Sequence, residues 1–187
     1  MSDRLITAPT AEPVSVAELK THLRVTHSAD DSYLGTLIQA AREHAEQHTG
    51  RALAEQTREY TADAFPSNGV LRLGFAPVVS ISSVKYLDET GEEQTLDPSV
   101  YTVDTQSEPG AIVLKVDQDW PDTASLPAAV RVRYVCGTAA RPLLKQAVLF
   151  IAAHWYEQRL PVNVGNIVNK IPHSLAAILW ANRVFSA

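Results

Sequence analysis

The sequence predicts an α+β protein, with a helical body at the two ends of the chain and an antiparallel β-meander inserted in its middle. Three observations predict it. A capping-box helix start stands at Ser15–Glu18, helical periodicity returns after Gly137, and between Glu55 and Cys136 apolar residues alternate with polar ones. On this reading residues 1–53 and 138–187 form the helical body, and 54–137 form the insertion. Neither pair of helices carries enough apolar surface for a core by itself, so the two ends are expected to pack together.

Ser15-Val16-Ala17-Glu18 places a hydroxyl at the N-cap and a carboxylate three residues on. Each can then satisfy one of the other's backbone N–H groups. Val14 and Leu19 take the staple positions around it, Pro13 precedes it, and Val16, Leu19 and Leu23 share a stripe, which predicts a helix to about Val25. Ser28-Ala29-Asp30-Asp31 starts a second helix, with its acids at the positive end of the helix dipole. Leu34, Leu37, Ile38, Ala41 and Ala45 recur at helical spacing to His48, and Gly50 suits the left-handed position that stops a helix.

Strands follow at Thr57–Ala62, Val70–Leu73, Ser80–Leu87, Glu92–Leu96, Val100–Asp104, Ala111–Val116 and Val130–Cys136. Asp88–Gly91 and Asp97-Pro98 read as turns, and Pro109-Gly110 fits the centre of a type II turn. In the last strand Val130, Val132 and Tyr134 share one face, with Arg131 and Arg133 on the other. After Gly137 a helix from Leu143 to Trp155 is apolar nearly all round and must be covered on most sides. Pro161–Lys170 reads as an irregular loop, and a last short helix runs from about His173 to Val184.

A composition 45% hydrophobic and 20% charged is that of a globular protein and excludes wholesale disorder. The apolar run Ala147–Ala153 is far short of the roughly 20 residues that cross a bilayer, so no membrane partner is expected. Met1–Arg4 lacks the basic-then-apolar pattern of a signal peptide, which makes the cytoplasm the expected place of synthesis. One cysteine, Cys136, excludes an intramolecular disulfide and a Cys-rich zinc framework. The net charge of −5 is unevenly spread: residues 1–60 carry −3, 61–140 carry −6 and 141–187 carry +4. A basic end on an acidic body points to a surface that meets something negative, although five cations equally well solvate two short helices.

The search for chemistry returns little. His44 and His48 are four apart on one helix, but Ala45 stands where a metalloprotease helix needs Glu and no third ligand is evident. They read as a solvent-facing polar stripe. Cys136 at a strand end reads as a small buried side chain. The acids Asp88, Glu89, Glu92, Glu93 and Asp97 lack the EF-hand spacing and read as a solvated hairpin tip. His154-Trp155-Tyr156 at helical spacing reads as core or interface in preference to base stacking. No phosphate loop, no G-x-S-x-G and no paired catalytic carboxylates occur, so no enzymatic activity, metal or cofactor is expected.

Several segments together resemble one family. Pro13–Val25, the acidic connection Asp30-Asp31, and the helix end Glu46–Arg51 are similar to the opening of the small head–tail connector proteins of tailed bacteriophages, also called head-completion or adaptor proteins. Pro77–Asp88, Asp97–Tyr101 and the His154–Glu157 helix with its Pro-containing loop and short last helix resemble the longer branch of that family, which also occurs in prophages and gene transfer agents. The resemblance implies a structural subunit of the virion neck: a cyclic homo-oligomer of about twelve copies beneath the portal protein, offering a platform to the next neck or tail protein. It also implies double-stranded DNA passing through the lumen without sequence specificity. Within that picture the candidate subunit or portal interface is Phe150, Trp155, Tyr156, Arg159, Lys170, Leu179, Trp180, Arg183 and Phe185. The competing readings are another neck component (a stopper or tail terminator), a nucleic-acid-binding regulator, and a cryptic hydrolase.

Overall fold

The computed structural model describes residues 2–158 and 173–185. The elements run β1 (Ser2–Thr7), α1 (Val16–Leu23), α2 (Asp31–Thr49), β2 (Gln56–Ala62), β3 (Val70–Arg72) and β4 (Val78–Leu87). They continue with β5 (Glu93–Thr95), β6 (Tyr101–Asp104), β7 (Ala111–Leu114), β8 (Val130–Cys136), α3 (Pro142–Glu157) and α4 (His173–Ala181). The class is α+β, as expected. The chain divides into a β unit, built mainly from its first ten residues and 55–138, and a helical unit from 11–54 and the described part of 139–183.

In the helical unit the capping box forms as drawn from sequence. The Ser15 N–H donates to Glu18 Oε2 at 2.8 Å, and Ser15 Oγ accepts from the Glu18 N–H at 3.2 Å. Helix α1 stops at Leu23, two residues early, because Arg24 takes a left-handed conformation at φ 58° and its N–H returns to the last turn. Helix α2 ends on Gly50 at φ 65°, where glycine has no Cβ to clash. The core joins both ends of the chain: Val14, Leu19, Leu34, Ile38, Ala41 and Ala45 pack with Leu144, Val148, Ile151, Leu175 and Leu179. Arg42 is buried among carboxylates, donating Nε to Glu12 and Nη1 to Glu46, both at 2.8 Å. Glu46 also accepts the Leu53 N–H at 2.7 Å. A charge taken out of water must be paired this fully, and the pairing ties the segments flanking α1 and α2 to α2 itself.

The β unit departs from the sequence reading in three ways. First, residues 2–7, grouped with the helical body on sequence, form an edge strand on β2. Asp3 anchors it, accepting from Arg58 Nε and the buried Tyr134 hydroxyl, each at 2.6 Å. Second, the strands do not form a simple meander. They make a five-stranded sheet ordered β1-β2-β8-β4-β5 and a three-stranded sheet ordered β3-β7-β6, antiparallel throughout. β8 pairs with both β2 and β4, which buries Val130, Val132 and Tyr134 while the alternate residues face outward. Third, no type II turn forms at Pro109-Gly110, since Gly110 lacks the positive φ that turn requires. Glycine is needed there for room: a Cβ would sit 2.7 Å from Val78 Cγ2 and 2.9 Å from the Asp104 carbonyl oxygen.

Candidate assembly interface

The apolar residues of helix α3 fall on every side, and the fold covers most of them. Leu144, Ala147, Val148, Ile151 and Ala152 are buried in the helical core. Leu143 and Phe150 stay 49% and 42% exposed, and seven residues apart they lie on one stripe. The Phe150 ring lies 5.7 Å from His22 on α1, and close by Lys145 Nζ meets Glu18 Oε1 at 2.6 Å. The α1–α3 seam therefore carries a small surface of Leu143, Phe150 and His22 beside an ion pair.

Helix α4 is more one-sided. Leu175 and Leu179 face the core, Leu179 at 2% exposure. Its outer face shows Ala176, Ala177, Trp180 and Ala181, with Trp180 63% exposed. The Arg183 guanidinium carbon lies 5.5 Å from the Trp180 ring centroid. Helix α4 is thus apolar on its solvent side as well as on its core side.

The nine interface residues named from sequence therefore separate. Phe150, Trp180, Arg183 and Phe185 are exposed, and Phe185 at 62% belongs with the surface apolar residues. Leu179 is a core residue and not a surface one, because the 3.6-residue repeat turns it inward with Leu175. Trp155 is half-buried, edge-on to His44 at 5.8 Å. Tyr156 is also half-buried, its hydroxyl donating to Asp30 Oδ2 at 2.6 Å, so both are largely committed within the subunit. Arg159 and Lys170 lie outside the described residues. Sequence reasoning passed over Leu143 and the alanines of α4; the i, i+7 spacing of Leu143 and Phe150 was the available signal for the first.

The remaining sequence candidates settle as structural features. His44 and His48 are not a purely solvent-facing stripe. Their rings lie 4.5 Å apart, His44 Nε2 is buried without a hydrogen-bond partner, and burial first, then His48, lowers the His44 pKa. No group of three or more metal-ligating side chains occurs among the described residues. Asp88 spends its carboxylate on the hairpin turn, accepting from the Thr90 and Glu92 N–H groups and the Thr90 hydroxyl, and is held at about 2 chiefly by Thr90. Cys136 is buried. A cleft of about 710 Å³ in the β unit is lined by Ser2, Asp3, Tyr60, Phe65 and Arg72 among others. Its two carboxylates already serve the fold, Asp3 on Arg58 and Tyr134, and Asp63 on the Ala128 N–H. Charge divides with the units, at −7 for the β unit and +2 for the helical unit counted on the sequence.

Residues 13–81 match the family described as phage gp6-like head-tail connector protein. That stretch spans both N-terminal helices and reaches into β4. No curated protein matches the chain. Among solved structures, a chain from the neck of an empty gene transfer agent particle, computed with C6 symmetry, superposes with a TM-score of 0.81 at 22% identity. One from the neck of the native particle, computed with C12 symmetry, gives 0.77 at 24%. One from the virion of the native particle gives 0.80 at 21%. Each superposition covers 100% of this chain and 97% of the other, so the fold is shared over its whole length.

Proposed function

We propose that the chain is a structural head–tail connector subunit of a virion or gene-transfer-agent neck. It assembles as a ring of about twelve copies beneath the portal, extends the DNA channel and offers a platform to the next neck or tail protein. The observation that carries this reading is the superposition over the full chain on neck proteins, together with the family match at the N-terminus. The function is geometric. A closed ring is held by heterologous contacts in which one patch docks on a different patch next door. The exposed apolar residues of α3 and α4 supply surfaces of that kind, while an acidic β unit repels DNA phosphates from any wall it forms. Arg183, with Arg159 and Lys170 from the same basic end of the sequence, is suited to the portal or to phosphate. The subunit waits in the host cytoplasm before assembly. Its chemistry needs no cofactor.

Native mass spectrometry of the purified chain, alone and mixed with portal protein from the same particle, tests the proposal. A discrete multimer near twelve copies, alone or on the portal, is the expected result. A monomer that ignores the portal overturns it.

A further inference from the structure

The β unit is acidic as a whole, but one face of it is not. Strand pairing sets Arg4, Glu59, Arg133 and Ser83 side by side across β1, β2, β8 and β4. The next row holds Ser2, Thr61, Arg131, Lys85 and Thr95. Directly paired residues share a face, so both rows lie on the side of the five-stranded sheet opposite Val132 and Tyr134. Glu93 of β5 joins them, accepting from Lys85 Nζ at 2.6 Å and lying 3.4 Å from Arg131 Nη1. This face holds four of the unit's seven cationic side chains and two of its fourteen carboxylates, counted on the sequence. Its charge is therefore +2, against −9 for the rest of the unit. The acid also lies deeper than the bases in the first row. The Glu59 side chain is 8% exposed, whereas Arg4 and Arg133, which donate to it at 3.1 and 3.0 Å, are 67% and 48% exposed.

We infer that this sheet face binds the phosphate backbone of duplex DNA without reading its sequence. Each carboxylate is shared by two cations, so pairing within the face leaves positive charge over. Arg133 gives Glu59 only its Nη2 group, and Arg131 meets Glu93 only through Nη1, so both guanidinium groups keep N–H donors for a further acceptor. Arginine, lysine and Ser/Thr hydroxyls are the side chains that contact phosphate oxygens, and the two rows offer these and no aromatic or apolar side chain. That composition disfavours an acidic protein as the partner, since the centre of a protein contact takes aromatic and apolar groups. The phosphates that the rest of the unit repels are held by this face. One copy carries the whole of it, so the inference stands apart from ring closure.

The test measures fluorescence anisotropy of short labelled duplexes titrated with the full-length chain over a range of salt concentrations. The wild type binds two duplexes of unrelated sequence equally at low salt. Its log K falls against log salt with a slope of about −2 to −4, as two to four phosphates are neutralised. Arg131→Gln and Arg133→Gln, made singly, each make that slope shallower by about 1 and weaken low-salt binding about tenfold. Arg133→Lys keeps the wild-type slope. Arg72→Gln, which removes an exposed cation from the other sheet, leaves the affinity within about twofold. Glu59 and Glu93 each retain one cation in the glutamine variants, so melting temperatures stay within about 2 °C of the wild type and lost binding is not lost fold. No binding at low salt overturns the inference, as do glutamine variants that bind like the wild type. An equal loss in Arg72→Gln overturns it too, because total charge and not this face would then be responsible. Poly-aspartate that binds this face more tightly than the duplex overturns it in favour of an acidic protein partner. Native mass spectrometry of the same samples reads the ring separately: a chain that binds DNA and stays monomeric with portal protein present keeps this inference and overturns the ring reading alone.

Discussion

Leu179 and Trp180 are neighbours in sequence with opposite roles, and replacing each by alanine separates core from surface on one helix. Leu179 is 2% exposed within the cluster formed by α2, α3 and α4. Truncating a leucine so placed removes its transfer free energy and leaves a cavity that neighbouring helices fill only partly, at a cost of about 2–5 kcal/mol. For a chain of this size about 2–4 °C of melting temperature accompanies each kcal/mol, so Leu179→Ala lowers the helical transition by about 4–20 °C. Trp180 is 63% exposed, with the Arg183 guanidinium 5.5 Å from its ring centroid. Trp180→Ala costs about 1 kcal/mol at most. The assay is thermal unfolding of dilute, unassembled protein followed by helical circular dichroism at 222 nm. Equal destabilisation by the two substitutions refutes the orientation of α4 described above. A Leu179→Ala loss below about 1 kcal/mol refutes its place in the core.

Three further outcomes are expected. Ser15→Ala removes one arm of the capping box and destabilises the helical unit by about 1 kcal/mol, measured by urea unfolding, whereas Ser15→Asp retains most of that stability. Tyr134→Phe takes from Asp3 the hydroxyl that donates to it and from the Phe75 N–H its acceptor, costing the β unit about 1–3 kcal/mol. Hydrogen exchange of the β1 amides rises with it, because Asp3 is the anchor of that strand. His44 has a folded-state pKa below its ordinary value, so below about pH 6.5 the unfolded chain binds a proton that the folded chain resists. Stability from this site is full above that pH and falls as the pH drops towards the folded-state pKa. A His44→Leu variant, melted from pH 8 to pH 5, should show a flatter profile than the wild type; parallel profiles would remove His44 as the source.

Much of the helical unit was legible because its signals are local. A capping box, a 3.6-residue repeat and a glycine stop each act within about one turn, and α1 and α2 form where those signals stand. The same holds for alternation in β8, where the branched and aromatic residues face inward and the arginines do not. β1 was not legible. Ser2–Thr7 has no strong strand signal, and its pairing depends on Arg58, Glu59 and Tyr134, more than fifty residues away in the chain. The strand order failed for the same reason, since β8 chooses β2 and β4 as neighbours through side chains that sequence spacing does not connect.

The interface divides along that line. Sequence identified α3 and α4 as too apolar for ordinary surface helices, because residue type and periodicity are properties of the chain alone. It could not choose among their apolar faces, since a helix that is apolar all round gives no preferred direction. Packing made that choice: the helical core took Leu175, Leu179, Leu144 and Ile151, and left Leu143, Phe150 and Trp180 outside. Which residues are buried depends on what lies opposite them, and that is settled only when distant segments meet.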